Sequence, residues 1–392
     1  MQNFTYHAPT KIIFGKDTVS RVGEEVKSCG TGRAFIVYGS DRILTSGLLS
    51  KIEKSLDASG IAHEAFGGVK ANPTLAHAEE GVRRAMDFEA NIILAVGGGS
   101  VIDTAKGIAH GAANPEYNLW DIWTKKAPLE KSLRVAAILT IPAAGSEMSD
   151  SAVLTNEAAG KKLGINTEHN RCVFAIMDPG MADTLPDWQL KNGIVDIMMH
   201  TLERYFIPKI KCDLTDFIAE GVIRSVRDNG RLVLHDRSDY DAMSEVWWAS
   251  SVSHNNLTEL GRGKDFSVHK IGMALSARYD YTHGATLSAV WASWARYLYK
   301  DAADRFARYA RNVWGIDTTD DKQAAILGID ATENFFREIG MPVSLHELGL
   351  DDPSDEDIHA LALHATMDDT VKLSRISPLT AADVEKIYRK AL

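Results

Sequence analysis

The chain has 392 residues, of which 45% are hydrophobic and 24% charged, and a formal net charge of −10. That length exceeds what one ordinary core serves, so two domains are expected, and the apolar fraction is that of a globular protein with a large buried core. The acidic balance and the lack of any basic run exclude a nucleic-acid footprint, three scattered cysteines exclude a disulfide framework and fit a reducing compartment, and no apolar run approaches membrane-spanning length.

The opening, Met1-Gln-Asn-Phe-Thr-Tyr, carries neither the basic nor the apolar region of a leader, so the expected compartment is the cytoplasm. Aromatic and β-branched residues from Phe4 to Phe14 predict a strand or hairpin that stops at Gly15-Lys16. A helix over Val19–Lys27 follows, then a buried strand over Arg33–Tyr38 that delivers the chain into Gly39-Ser-Asp-Arg42. Loops at the carboxyl ends of such strands are where open α/β sheets bind ligands. Helices over Leu48–Ser59 and Ala76–Phe88 bracket a strand over Ala62–Phe66, and this alternation implies a parallel sheet.

The strand Asn91–Val96 leads through Gly97-Gly-Gly-Ser100 into a helix over Val101–Ala109. Consecutive glycines between a buried strand and a helix let the backbone approach a phosphate closely at the positive end of the helix dipole, so the three glycines and Ser100 make a candidate cradle. A tight turn with no ligand explains the same glycines, and the pattern is not Gly-x-Gly-x-x-Gly. A strand over Val135–Thr140 ends in the small residues of Pro142–Glu147, and Val153–Thr155 and Cys172–Met177 complete the α/β part before an exit at Asp178-Pro-Gly180. Lys161-Lys162 lies between them in a hairpin-like polar stretch, where a solvated face is its plainest explanation.

From Pro186 onward strands give way to helical spacing, as in Asp213–Leu232, Met243–Asn256, Leu287–Tyr299, Ala303–Val313, Lys322–Ile339 and Thr380–Ala391. The expected division is therefore an α/β domain over residues 1–180 and an all-helical domain over 181–392, to which the resemblance described below assigns dinucleotide binding and metal-dependent catalysis respectively. The acidic stretch Asp351–Asp357 reads as a solvated turn and helix start. Within the apolar segment Gly193–Tyr205, Asp196, His200 and Glu203 recur at i, i+4 and i+7, one face of a helix. A buried polar stripe needs partners. Two further histidines, His269 and His283, sit in segments dense with small residues, and one carboxylate with three imidazoles is a ligand set for a divalent transition metal. Asp196, His200, His269 and His283 thus form the candidate metal site, acting in catalysis through the metal.

The chain resembles the iron-containing (group III) alcohol dehydrogenases, whose fold is shared with dehydroquinate synthase and glycerol dehydrogenase. The resemblance runs nearly end to end, through Phe14-Gly-Lys16, Asn72-Pro-Thr74, Gly97–Asp103, Pro142-x-x-Gly-Ser-Glu147, Asp178-Pro179, Asp196-x-x-x-His200-x-x-Glu203, His269 and His283-Gly284. It lies closest to the NADPH-dependent aldehyde reductase and butanol dehydrogenase branch. It implies an α/β plus all-α, dehydroquinate synthase-like architecture, iron or zinc on the four ligands already named, and hydride transfer between nicotinamide and a small aldehyde or primary alcohol. By the same resemblance Gly98, Gly99 and Ser100 hold the pyrophosphate, and Asp103 bonds near the nicotinamide. Thr140 and Ser146 line the adenine and nicotinamide sides, Lys162 bonds the ribose hydroxyls, and Leu185 packs against the ring.

Cofactor choice falls to the loop after Tyr38. NAD-dependent members place an Asp where this chain has Ser40, so Gly39 and Ser40, with Arg42 near, favour NADP(H). A one-residue shift would make Asp41 the NAD-selecting carboxylate, which keeps NAD(H) as the alternative. The chain departs from many members at Met273, where they carry a histidine; this leaves the ribose hydroxyl and water as the expected proton route, with His254 the other candidate. Trp120, Trp123, Phe266 and Met273 are the residues expected to offer an apolar wall to an aliphatic substrate, and a homodimer is the expected assembly. The competing readings are a polyol dehydrogenase or non-redox lyase of the same fold, and a catalytically silent nucleotide-binding protein. The lyase would want a Lys and Arg cluster, for which residues 260–285 supply only Arg262, Lys264, Lys270 and Arg278.

Overall fold

The structure, a computed structural model, describes residues 1–208 and 210–392. It divides into two compact units, His7–Leu185 and Pro186–Leu392, with Met1–Tyr6 belonging to the second.

The first unit is built on a six-stranded parallel sheet of β1 (Lys11–Phe14), β2 (Arg33–Tyr38), β3 (Ala62–Phe66), β4 (Ile92–Gly97), β5 (Arg134–Leu139) and β8 (Phe174–Met177), in the order β1-β8-β5-β4-β2-β3. Every residue of β4 is buried, as expected of a central parallel strand covered on both faces. The covering helices are α1 (Val22–Ser28), α2 (Arg42–Thr45), α3 (Leu48–Ala58), α4 (Leu75–Asp87), α5 (Gly99–Ala113) and α6 (Leu119–Trp123). The apolar faces of α1, α2 and α3 and one face of the sheet form a core that includes Val26, Ile36, Ile52, Leu94 and Ile138. A separate antiparallel hairpin, β6 (Ser151–Asn156) with β7 (Lys161–Asn166), packs Ala152, Leu154 and Ile165 against α4 and α6.

Three sequence expectations change here. The strand over Phe4–Phe14 shrinks to Lys11–Phe14, because the preceding residues leave the sheet and the Gln2 N–H donates to Gly261 O of the helical unit at 2.8 Å. Val153–Thr155 lies outside the main sheet and pairs with β7, with one further bridge from Thr155 to Thr74. Trp123 is core rather than a substrate wall: it is buried in the hairpin cluster with its indole N–H on Leu163 O at 3.1 Å.

The second unit holds α7 (Asp187–Tyr205), α8 (Asp213–His235), α9 (Tyr240–His254), α10 (Ser267–Tyr279), α11 (His283–Leu298), α12 (Ala303–Trp314), α13 (Asp321–Glu338), α14 (Leu345–Leu348), α15 (Asp355–Ala365) and α16 (Ala381–Lys390). Among the described residues no helix is long and apolar enough to cross a membrane. From Asn192 to Tyr205 every residue of α7 is buried, so it is the axle on which α8, α9 and α11 pack. The acidic stretch ends in a capping box, in which the Ser354 hydroxyl accepts from the Asp357 N–H while the Asp357 carboxylate accepts from Ser354 N–H. That exchange explains why α15 starts at Asp355.

Candidate active site

The side chains read as metal ligands gather in the helical unit. Asp196 and His200 lie one turn apart on α7, His269 in the first turn of α10, and His283 at the first position of α11. The Nε2 atoms of His200, His269 and His283 stand 3.3, 3.6 and 3.8 Å from a single atom, Asp196 Oδ1. Four donors about 2.0–2.2 Å from one tetrahedral ion stand about 3.3–3.6 Å apart, so the spacing suits a shared cation. Asp196 Oδ1 and His269 Nε2 are both buried and accept or donate no hydrogen bond. Buried polar atoms ordinarily find partners, and a cation on the carboxylate oxygen and the imidazole lone pair satisfies both at once. The residues therefore fit a divalent transition metal.

The surroundings set the protonation of the ligands. Burial, reinforced by the neighbouring imidazoles of His254 and His269, drives the His200 pKa well below the ordinary histidine value, so its ring is neutral. Burial also opposes charge on His269, yet the carboxylates of Glu203 and Asp196 outweigh it and raise this histidine to about 9 in the metal-free protein. Glu203, 1% exposed, accepts a hydrogen bond from His269 Nδ1, which leaves Nε2 turned toward Asp196. His254 stacks on His200 with ring centroids 4.0 Å apart, and Phe266 meets His200 and His269 edge-on. Phe266 sits at φ 62°, a strained left-handed position. It is held there by Asp265, whose carboxylate accepts from the Ser267 and Arg375 N–H groups.

In the α/β unit most of the residues assigned to the cofactor gather round the β4–α5 turn. Gly98 is the extended N-cap of the 15-residue helix α5. A Cβ on Gly97 would lie 2.5 Å from Val101 Cγ2 and one on Gly98 2.3 Å from Ile141 Cγ2, so packing alone requires two of the three glycines. Thr140 N–H donates to Gly97 O at 3.2 Å, and Ser100 Oγ donates to Ala71 O. Beside Ala71, Asn72 Oδ1 accepts from Lys162 Nζ at 2.9 Å, which makes Lys162 a buried, tethered cation rather than part of a solvated face. Asp103 is engaged by protein, accepting from Ser146 Oγ at 2.7 Å and Val153 N–H at 2.9 Å. Gly39 packs near Val69 and Val101, Ser40 and Asp41 are exposed, and Leu185 is buried at the end of the unit.

Sequence reasoning passed over Lys106. Its fully buried amine donates to Ser146 O and Ser151 O, each at 2.7 Å, and to Ser146 Oγ at 3.0 Å, pinning the loop after β5 against α5. The signal available was its spacing, one turn past Asp103 on a helix otherwise made of small and apolar residues. Asn192 and the partners of Glu203 were likewise invisible, since they lie on other helices.

A parallel-sheet unit with a glycine turn opening a helix, and an all-helical unit that sets three imidazoles about one buried carboxylate oxygen, define the two-part plan of the dehydroquinate synthase-like oxidoreductases. The chain belongs to the iron-containing alcohol dehydrogenase family: residues 9–179 match "Iron-containing alcohol dehydrogenase" and residues 191–392 match "Fe-containing alcohol dehydrogenase family, C-terminal". It is an oxidoreductase of the alcohol and aldehyde class. It is 34% identical over 393 residues to NADH-dependent butanol dehydrogenase A of Clostridium acetobutylicum, with 100% of both chains covered. It is 32% identical over 360 residues to NADPH-dependent aldehyde reductase YqhD of Escherichia coli, covering 90% of this chain and 91% of the relative. The crystal structure of NADH-dependent butanol dehydrogenase A from Thermotoga maritima superposes with a TM-score of 0.95 at 34% identity, over 100% of this chain and 99% of that one.

Proposed function

We propose that the chain transfers hydride between NADP(H) and a small aldehyde or primary alcohol, such as butanal and butanol, using divalent iron or zinc held by Asp196, His200, His269 and His283. The observation that carries this reading is the convergence of three Nε2 atoms on Asp196 Oδ1, a buried oxygen with no hydrogen bond. When bound, the ion supplies a Lewis acid that polarises the carbonyl, a contribution on the order of several kcal/mol.

The chain's own residues do the rest. Burial keeps His200 neutral, Glu203 fixes the donor nitrogen of His269, and Asp196 supplies the negative charge that draws the cation in. The amides of Gly98, Gly99 and Ser100 open α5 toward the pyrophosphate, while Lys106 and Asp103 hold the Ser146 loop in place. Lys162 offers its amine to the ribose, with Thr140, Ser146 and Leu185 lining the cofactor. Ser40 at the end of β2, with no carboxylate at that position, supports NADP(H). NADH is the second reading, favoured by the NADH-dependent butanol dehydrogenases among the relatives and by Asp41, which is exposed and whose side chain makes no capping bond to α2. Three free cysteines support a cytoplasmic enzyme, and the open edge at β1 suits a homodimer, checked by light scattering.

The test is the initial rate of NADPH and NADH oxidation with butanal, on protein stripped of metal and reloaded with ferrous iron or zinc. Metal-dependent turnover favouring NADPH is expected. Turnover favouring NADH moves cofactor selection to Asp41, and no turnover with either overturns the reading.

A further inference from the structure

The helix that supplies two of the ligands also caps the two helices that supply the others. On α7, Asn192, Asp196, His200 and Glu203 follow one face at successive turns. In α10 the Asp265 carboxylate accepts only from the first N–H, that of Ser267, and the N-cap residue Phe266 offers no side-chain acceptor to those that follow; in α11 the Thr282 side chain makes no capping bond. An uncapped helix leaves its first N–H groups without acceptors, which is costly when the end is buried.

Both ends are capped from α7. The Glu203 carboxylate accepts from Val268 N–H at 2.5 Å and from His269 N–H at 3.3 Å, as well as from the His269 ring. Asn192 Oδ1 accepts from Ala285 N–H at 2.8 Å, while its amide donates to Trp188 O at 2.7 Å, which fixes which end of the side chain faces α11. Each capped turn is the turn that carries a histidine, His269 on α10 and His283 on α11. Close approach seals the second contact: a Cβ on Gly284 would lie 2.4 Å from Asn192 O and 2.8 Å from Asn192 Cα. The ligand helices are thus seated on α7 through hydrogen bonds that start one turn before Asp196 and end one turn after His200.

We infer that Asn192 and Glu203 are positioning residues of the metal centre, each seating a ligand-bearing helix by capping its first turn from α7. The inference rests on the metal reading above and extends it to residues that touch no metal. A carboxylate or amide behind a ligand ordinarily contributes 10–100-fold to metal affinity, and that is the size of effect expected from each.

The test uses metal-free full-length chain titrated with Co(II) against a chelator, with the visible absorption spectrum recorded and amide exchange followed across residues 267–271 and 283–287. Glu203→Gln keeps one acceptor oxygen and replaces the other with an NH2 donor, so it can no longer serve the Val268 N–H, the His269 N–H and the His269 ring together; Asn192→Leu removes the acceptor, and Asn192→Asp keeps it. The expected result is a 10–100-fold loss of Co(II) affinity in E203Q and N192L with altered absorption bands, faster exchange confined to the capped turn in each, and recovery of both readouts in N192D. Should E203Q fail to fold, the N192L and N192D pair decides the matter. Co(II) uptake by the unaltered chain and equally by the variants, with unchanged spectra, would overturn the proposal alone. No uptake by the unaltered chain would overturn the metal reading and the proposal with it.

Discussion

Replacing Gly284 by alanine tests whether the separation of α7 and α11 sets the geometry of the site. The added methyl would start 2.4 Å from Asn192 O and 2.8 Å from Asn192 Cα, both backbone atoms that no rotamer change can move. Restoring an ordinary contact of about 3.4 Å requires the first turn of α11 to retreat by about 1 Å. His283 is the residue before Gly284 and retreats with it, from an Nε2 to Asp196 Oδ1 distance that is already the longest of the three at 3.8 Å. Overpacking of this kind costs about 1–3 kcal/mol of stability, and a 1 Å misplacement of a functional group costs about 100-fold in rate. The assay pairs urea unfolding of the metal-free chain with zinc affinity and kcat/KM for butanal. The prediction is a modest stability loss with at least a tenfold loss of zinc affinity, about what removing a good supporting contact costs. Wild-type zinc affinity in a variant that is destabilised as expected would refute the idea that this approach positions His283.

Acid sensitivity of the α/β unit should centre on His110, which burial lowers to about 4 while its Nε2 meets Asn170 Oδ1 at 2.8 Å. A folded-state pKa below the unfolded value of 6.5 means the unfolded chain takes up the proton first. Stability is therefore intact above 6.5 and lost as pH falls toward 4, by about 2 kcal/mol at pH 5 and at most about 3.4 kcal/mol in all. The non-titrating His110→Gln chain should lack that part of the slope in urea melts. Lys106→Met removes a fully buried amine from the Ser146 and Ser151 carbonyls and takes a cation away from the half-buried Asp103, and should cost about 1–3 kcal/mol, the usual penalty for buried acceptors left unsatisfied; a loss under 1 kcal/mol would show that the Ser146 and Val153 bonds suffice. Ser40→Asp should shift the ratio of kcat/KM toward NADH by tenfold or more through repulsion of the 2′-phosphate, about 1.4 kcal/mol. Asp41→Ala producing the larger change in that ratio would assign selection to Asp41 instead.

Much of this protein could be read from local pattern. Short apolar runs between helices gave β2, β4 and β5 because a strand buried on both faces has no polar side to keep. The i, i+4 spacing of Asp196 and His200 put them on one face of α7 before any coordinate was known, since helix geometry fixes that relation whatever surrounds it. Locality also explains the misses. Lys11–Phe14 is a strand because β8 lies beside it, whereas Phe4 and Tyr6, also aromatic and read as part of the same strand, lie outside the sheet. Trp123 is core because the hairpin of β6 and β7 covers it. The caps that seat α10 and α11 join residues 65 and 93 positions apart, and nothing in the one segment records the orphan N–H groups of the other. Which side chains could bind a metal and which turn could face a phosphate were legible in the chain alone, because those depend on residue chemistry and short-range spacing. Tertiary structure alone decided that three imidazoles share one carboxylate oxygen and that Glu203 and Asn192 hold them there, because those contacts exist only after helices distant in the chain have packed together.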